Sequence, residues 1–412
     1  MFKKIVVGLF ILVTSITVAQ EGTTSPYSFY GIGTLKFRGT VENRSMAGLG
    51  VFSDSIHINL QNPASYSGLR LVNFSVGGSH KISTQRNEST SQNTSTTTLD
   101  YISMGIPMGK AGLGFGLVPY TAVGYDFYSE VPDGLTEYSG NGGLNKAYLS
   151  LGYQITPSFS IGAEANYNFG KIENTAITQK SDIQYASKAY NRSDILGFSF
   201  NFGALYKRMI TNKLELTTSI TYTPGTDFTS ENSRKIATVD VTPVGIFTVD
   251  ERDITVADTD FTFPSQLSIG AGIGKPKHWA LGIEYTNQKT SNFTNRSFNI
   301  DNVTYNDASK FRVGGYYIPN YNAFGNYFKR VVYRGGIRFE ETGLTVNGQD
   351  IKEFGISFGV GMPVGRLFSN INLGFEIGRR GTKDFGLIQE DFFNTFLSFS
   401  LNDRWFEKRL YD

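Results

Sequence analysis

Two classes of side chain alternate through the run Ser158-Phe159-Ser160-Ile161-Gly162-Ala163-Glu164-Ala165-Asn166-Tyr167-Asn168-Phe169-Gly170. One parity is apolar or aromatic, and the other consists of serine, glycine, glutamate and asparagine. Successive side chains of a β-strand point to opposite faces, so this period of two predicts a strand with one apolar and one polar face. A helix would scatter the two classes around its circumference.

The same alternation recurs along the chain, as in 214–222, 279–285 and 371–377. It predicts about fourteen strands of roughly ten residues each. The predicted strands are 71–82, 97–108, 111–121, 144–155, 158–171, 192–208, 213–223, 263–274, 277–287, 308–317, 328–338, 354–362, 369–378 and 392–401.

The connections between these strands alternate between short and long. Tight turns such as Gly109-Lys110 and Thr156-Pro157 are followed by longer polar stretches, which is typical of outer-membrane barrels. The longer connections are 83–96, 122–143, 172–191, 224–262, 288–307, 339–353 and 379–391. The predicted fold is therefore all-β, a transmembrane antiparallel β-barrel of about 14 strands with an N-terminal plug.

The composition excludes several classes of protein. Of 412 residues, 18% are charged, below the roughly 25% usual in soluble domains, and 14% are aromatic. The absence of cysteine excludes a disulfide scaffold and a thiolate zinc site. A formal net charge of +2 supplies no basic field for nucleic acid, so no nucleic-acid partner is predicted.

The N-terminus predicts export. Lys3 and Lys4 precede an apolar run, and Thr17-Val18-Ala19 is a small-residue cleavage site, so residues 1–19 are predicted to be a signal peptide. The apolar run is too short to span a bilayer, and no later run reaches about 18 apolar residues. A membrane location therefore requires a barrel, in the bacterial outer membrane.

The predicted barrel is flanked by two further segments. Residues 20–70 are predicted to be a plug (hatch), because a barrel of this width needs filling. Within them, Asn62-Pro63-Ala64 predicts a turn or a helix start. The barrel itself is assigned to 71–402, and 403–412 to a periplasmic C-terminal tail.

The polar parity of the strands carries charges that would face the lumen. Either these charges pair and pack a closed lumen, or they flank a substrate path or hold the plug. Both hypotheses predict salt bridges, because an enclosed charge needs a partner or water. The charged residues are Glu164, Glu284, Glu376, Arg312, Arg334 and Arg338.

No enzymatic chemistry is predicted. The three histidines at 57, 80 and 278 belong to no metal-spaced or triad-like motif. The glycines of Gly112-Leu113-Gly114-Phe115-Gly116 recur at period two on a strand, which differs from a dinucleotide-binding loop. Neither catalytic residues nor metal ligands nor cofactors are therefore assigned.

Three stretches resemble the FadL-like outer-membrane transporters of long-chain fatty acids and other hydrophobic compounds. The first runs from Met46 through Ser55 into Asn62-Pro63-Ala64, just before the first strand. The others are Gly112 to Tyr120, continuing to Gly124-Tyr125, and Phe263 to Gly270, followed by Trp279 to Tyr285. The resemblance implies a fourteen-stranded barrel, an N-terminal plug and lateral release of a lipophile through a gap in the wall.

The candidate lateral opening comprises Pro119, Tyr120 and Gly124. Proline cannot donate to a strand ladder, and a nearby glycine would ease a kink. The alternative is a strand that simply ends at Pro119. The leading functional hypothesis is passive uptake of a hydrophobic small molecule or fatty acid from the outer membrane, with exit near Pro119 beside membrane lipid.

A second hypothesis is a protein-binding barrel. FadL-like barrels also resemble the shuttle subunit of the type IX secretion system, which implies a possible secretion-system protein partner or an assembly role. The connection 224–262 could bind such a partner, or it could be an ordinary solvated loop. Its charged residues include Glu231, Arg234, Lys235, Asp240 and Asp250.

Overall fold

The structure is a computed structural model that describes residues 22–131, 133–292, 302–323, 325–364 and 369–405. The predicted signal peptide and most of the predicted tail lie outside these residues. Among them, no helix is long and apolar enough to cross a membrane.

Strands dominate the described chain. They are β1 (Thr34–Leu35), β2 (Val72–Arg86), β3 (Ser91–Met108), β4 (Ala111–Pro119), β5 (Thr121–Val131), β6 (Gly134–Thr156), β7 (Phe159–Lys180), β8 (Ala186–Met209), β9 (Glu215–Thr223), β10 (Thr226–Thr242), β11 (Gly245–Ile254), β12 (Thr259–Phe263), β13 (Gln266–Lys275), β14 (Trp279–Gln288), β15 (Val303–Tyr305), β16 (Ala308–Tyr317), β17 (Val332–Val346), β18 (Gln349–Val364), β19 (Ser369–Arg380) and β20 (Gln389–Asp403). The helices are short: α1 (Val41–Arg44) and 3₁₀ turns at Pro26–Phe29, Pro63–Gly68, Thr290–Asn292 and Tyr327–Lys329.

These strands form a closed antiparallel barrel of 14 strands, as predicted. The first barrel strand, β2, pairs with the last, β20, from Val72↔Asp403 to Arg86↔Gln389. Three barrel strands consist of two segments each, namely β4 with β5, β9 with β10 and β12 with β13. Strands β1, β11 and β15 are additions to the ring.

The two parities separate as the alternation predicts. Large apolar side chains such as Phe198 and Phe358 are exposed on the outer face, whereas Ser150 and Asn168 on the opposite parity are fully buried. An apolar outer face and a polar inner face are the arrangement of a barrel in a membrane.

Five of the seven long connections predicted to be loops are largely strand, whereas 379–391 does contain a loop at 381–388. β7 continues to Lys180 and β8 begins at Ala186, so most of 172–191 is strand. Likewise, β10, β11 and β12 occupy most of 224–262. We call the part of each strand next to the tight turns its lower part and the part next to the long connections its upper part. Backbone pairing extends a strand without requiring an apolar face. The alternation therefore identifies the lower parts of the strands and is lost in their upper parts.

Candidate functional site

The N-terminal segment (residues 22–71) packs closely against inward-facing glycines of the wall. A Cβ added at Gly162 would lie 2.7 Å from the carbonyl oxygen of Pro63. One added at Gly112 would lie 2.5 Å from the carbonyl carbon of Tyr66. Because no side chain fits at these distances, the glycines allow the 3₁₀ turn Pro63–Gly68 to approach the wall.

The motif Asn62-Pro63-Ala64 starts this turn. The side-chain oxygen of Asn62 accepts a hydrogen bond from the backbone N–H of Ala64 at 3.0 Å, which caps the turn. The Asn62 side-chain amide also donates to the carbonyl oxygen of Ala204 in β8 at 3.2 Å. The motif therefore both begins the turn and joins it to the wall.

Several predicted lumen charges bind the N-terminal segment directly, and among them Arg312 donates to the carbonyl oxygen of Gly48 at 3.3 Å. Glu164 accepts hydrogen bonds from Arg38 and, at 2.6 Å, from the hydroxyl of Ser150. Glu284 accepts from the backbone N–H of Gly50 at 2.8 Å and forms an ion pair with Arg312. Both carboxylates are buried, so each connects the segment to the wall by a charge-assisted hydrogen bond.

A second charge network lies mainly within the wall and reaches the N-terminal segment through Arg44, whose Nε is 3.7 Å from the Glu376 carboxylate. Arg338 forms ion pairs with Glu376 at 2.6 Å, with Glu340 at 3.3 Å and with Glu353. Glu353 also pairs with Arg380. Glu353 and Arg380 lie just beyond the predicted strands 354–362 and 369–378, so the alternation did not place them in the lumen.

The sixth predicted lumen charge, Arg334, donates to the side-chain oxygen of Asn372 at 3.1 Å. Asn372 in turn donates to Glu42 of α1 at 2.9 Å. Arg334 is thus linked to the N-terminal segment through one intervening side chain.

The wall pairing is interrupted beside Pro119. The β3–β4 ladder ends at Ile102↔Leu117, and residues 91–101 of β3 pair only with β2 among the described strands. Strand β5 continues beyond Pro119 but pairs with β6 and β1 rather than with β3. We call this missing ladder between β3 and β5 the β3–β5 gap.

The N-terminal segment fills the β3–β5 gap. On one side, β1 pairs with β5 through Thr34↔Ala122 and Leu35↔Thr121. On the other side, the hydroxyl of Thr24 donates to that of Thr94 in β3 at 2.9 Å. The segment therefore contacts both of the strands that do not pair with each other.

The three residues of the candidate lateral opening lie along this gap. Pro119 is the last residue of β4. The backbone N–H of Tyr120 donates to the carbonyl oxygen of Leu144 at 2.7 Å, and that of Gly124 donates to the hydroxyl of Ser28 at 3.1 Å. Ser28 is a further residue of the N-terminal segment that the sequence analysis did not identify.

Aromatic side chains occupy the space next to the β3–β5 gap. The ring of Phe29 contacts those of Tyr125, Phe127 and Tyr138, with centroids 5.1, 5.2 and 5.5 Å apart. This apolar volume is filled by the protein's own side chains.

Two small cavities lie between the N-terminal segment and the wall. One has a volume of about 140 Å³ and is lined by charged groups including Lys36, Arg44 and Glu353. The other has about 100 Å³ and is lined by residues including Arg38 and Glu284. Pockets for small-molecule ligands usually have about 300–1,000 Å³ and mostly apolar walls, so neither cavity suits a lipophile.

The histidines make local contacts. His80 and His278 bond through Nδ1 to the Thr97 hydroxyl at 2.8 Å and to the Ile318 carbonyl oxygen at 2.7 Å. The ring of His57 lies 2.5 Å from the Asp54 carboxylate. Desolvation acts to raise the pKa of Asp54, but the ion pair with His57 and hydrogen bonds from the backbone N–H groups of Ile56 and His57 lower that pKa to about 2. Among the residues that the structure describes, no group of histidine and acidic side chains could hold a metal ion.

The β10–β11 hairpin (Thr226–Ile254) projects from the end of the barrel opposite the tight turns. Every residue of β11 is exposed, and Val244 in the turn is 87% exposed. Lys235 of β10 pairs with Glu251 of β11 at 2.7 Å. The connection 224–262 is thus an ordered hairpin rather than a solvated loop.

Solved structures with a similar fold include three bacterial proteins. The toluene transporter TodX of P. putida has a TM-score of 0.62 at 14% identity, covering 90% of this chain and 100% of its own. The toluene transporter TbuX of Ralstonia pickettii has a TM-score of 0.60 at 15% identity, with the same coverage. A FadL homologue of Pseudomonas aeruginosa has a TM-score of 0.57 at 12% identity, covering 89% and 98%.

At these identities the likeness concerns the fold, and the predicted FadL-like relationship is supported to that extent. None of the curated proteins matches the sequence. A family model matches the whole of residues 1–412, and its name differs from the predicted one. The chain belongs to the BamG family.

Proposed function

We propose that this chain is a non-enzymatic barrel of the bacterial outer membrane with a closed lumen, and that it binds a partner protein through the β10–β11 hairpin. The observation that carries the proposal is the full exposure of β11, together with exposed apolar side chains at Val244, Phe247 and Val249. Exposed apolar side chains clustered in one short segment are typical of an interaction site. An assembly or secretion component would use such a surface.

The filled interior supports this proposal over an open channel. We infer that residues 20–70 act as a plug, because Arg38, Gly50 and Asn62 each bind the wall. The two charged cavities leave little room for a lipophile. We further propose that residues 1–19 are removed as a signal peptide and that 403–412 form a periplasmic tail.

A photo-crosslinking residue placed at Phe247 is expected to yield one dominant protein adduct in intact cells. The matched control is the same residue at Phe198, which is similarly exposed but lies on the apolar outer wall in β8. Adducts at Phe247 and not at Phe198 support the hairpin as the docking site. Equal labelling at both positions, or none at Phe247, rejects it.

A second candidate function is passive uptake of hydrophobic small molecules, such as long-chain fatty acids. The β3–β5 gap favours it, because lateral exit requires an interrupted wall, and because solved structures of this fold include hydrophobic-compound transporters. The N-terminal segment would have to leave the gap for a lipophile to pass.

The Thr24→Cys/Thr94→Cys variant tests this exit route. The two hydroxyl oxygens are 2.9 Å apart and the chain has no native cysteine, so oxidation should give one defined bond across the gap. If lipophiles leave there, oxidation is expected to stop uptake of a radiolabelled fatty acid, and a reductant should restore it. The Thr94→Cys variant alone should be unaffected. Uptake that is the same before and after oxidation excludes lateral exit through the gap.

A further inference from the structure

Strand β11 forms the edge of a sheet that extends beyond the barrel. Its only partner among the described strands is β10, from Arg234↔Ile254 to Thr242↔Gly245. The opposite edge of β10 is occupied by β8, from Thr229↔Leu196 to Val239↔Ala186. The outer edge of β11 therefore presents a row of backbone donors and acceptors that no described strand pairs with.

This edge is only partly protected against pairing. Proteins usually blunt a long exposed edge with proline, inward-pointing charges, lysine or a bulge. Gly245–Ile254 contains neither proline nor lysine. A register shift also places one bulge on β11 itself, at Val249, because Thr238 pairs with Asp250 and Val239 with Thr248. On the barrel side of the bulge, the five exposed residues Asp250–Ile254 pair regularly with β10, which is long enough to accept an added strand.

The side chains of β11 determine which side chains an added strand would need in order to pair with it. Near the turn, Ile246, Phe247 and Val249 are exposed and apolar. Nearer the barrel lie Asp250, Glu251, Arg252 and Asp253, with a net charge of −2. Lys235 on β10 pairs with Glu251 and more weakly with Asp253, so it offsets one of these charges. Asp250 pairs only loosely with Arg252, at 3.5 Å.

We propose that the outer edge of β11 accepts an extended segment of a partner protein as an added β-strand, with apolar side chains near the turn and basic side chains opposite Glu251 and Asp253, which share one face of β11. Main-chain hydrogen bonds would supply affinity, and the alternating side chains would supply specificity. Opposite charges across a strand pair are favourable and like charges are unfavourable, which selects a basic segment. This inference rests on the proposed protein-binding function and specifies its mode.

The test uses the full-length barrel in detergent and fluorescently labelled peptides of about ten residues. One peptide alternates lysine and valine, and a second alternates glutamate and valine. Fluorescence anisotropy is expected to show the lysine peptide binding at least about tenfold more tightly. The Glu251→Lys/Asp253→Lys variant is expected to reverse the order. A variant with residues 235–253 replaced by a short glycine-serine turn should bind neither.

A backbone-modified peptide separates strand addition from simple charge attraction. The same lysine peptide with alternate amides N-methylated keeps its charge and apolar side chains but loses its donors along one edge. It is expected to lose binding. Binding equal to that of the unmodified peptide overturns strand addition, as does failure of the lysine peptide to bind the wild-type barrel.

The outcomes also separate this inference from the proposed function. If crosslinking at Phe247 captures a partner but the lysine peptide does not bind, protein binding stands and strand addition is rejected. If β11 pairs instead with β11 of a second copy, the purified barrel should be a dimer that the 235–253 replacement converts to a monomer. That result also rejects a basic partner segment.

Discussion

Replacing Gly112 with valine is expected to release the N-terminal segment from the wall while leaving the barrel intact. The new side chain would overlap the backbone of Tyr66 in the turn Pro63–Gly68, which cannot move aside as a flexible side chain can. Overpacking of this kind costs about 1–3 kcal/mol, so the undocked population should rise about 5- to 150-fold. Tryptic cleavage after Arg38 and Arg44 should accelerate accordingly, and ion conductance in planar bilayers should increase.

Gly335→Val is the matched control. An added Cβ at Gly335 meets the Ser357 carbonyl oxygen at 3.7 Å, an ordinary contact, and the N-terminal segment is absent from its neighbours. This variant should therefore retain the proteolysis rate and conductance of the wild type. If Gly112→Val and Gly335→Val give the same proteolysis rate and the same conductance, the N-terminal segment does not dock tightly against the wall at Gly112.

Arg338→Ala is expected to lower the free energy of unfolding by about 3–5 kcal/mol, because it removes the partner of buried carboxylates. Glu353 and Glu376 are almost completely buried, and Glu340 also pairs with Arg338. Arg380 remains near Glu353, which keeps the loss from being larger. Equilibrium urea unfolding of the barrel in lipid vesicles measures the change.

The neighbouring Arg379 supplies the comparison. Its ion pair with Asp391 is 2.7 Å long but its side chain is 61% exposed, so Arg379→Ala should cost no more than about 1 kcal/mol. Losses of equal size for the two variants would mean that the Arg338 network contributes no more than a surface ion pair.

The barrel was predictable because the lower parts of its strands obey one simple rule. The alternation through Ser158–Gly170 identifies the outer and inner faces of β7, and Glu164 on the polar parity is buried. The upper parts of the strands follow a different rule. In these upper parts, neither parity is consistently apolar. The ten exposed residues of β11 were therefore predicted to belong to a loop.

The arrangement of the site was less predictable. Strand β1 contains two residues, too few to show a period, yet it fills one side of the β3–β5 gap. Gly112 and Gly114 were recognised as small residues on one face of a strand. Glycine is required there because Tyr66 approaches the wall, and this contact is distant in sequence. Pairing partners such as Arg38 and Glu164 are set by three-dimensional docking, which no local pattern encodes.

The most direct test of the account is mass spectrometry of the barrel extracted gently from its native membrane, with proteins and small molecules recorded from the same preparation. The variant with 235–253 replaced by a short turn is analysed alongside the wild type. A stoichiometric protein partner that is present with the wild type and absent from the variant is the predicted result. An enriched lipophile in both preparations, with no stoichiometric protein in either, would contradict the account and favour transport.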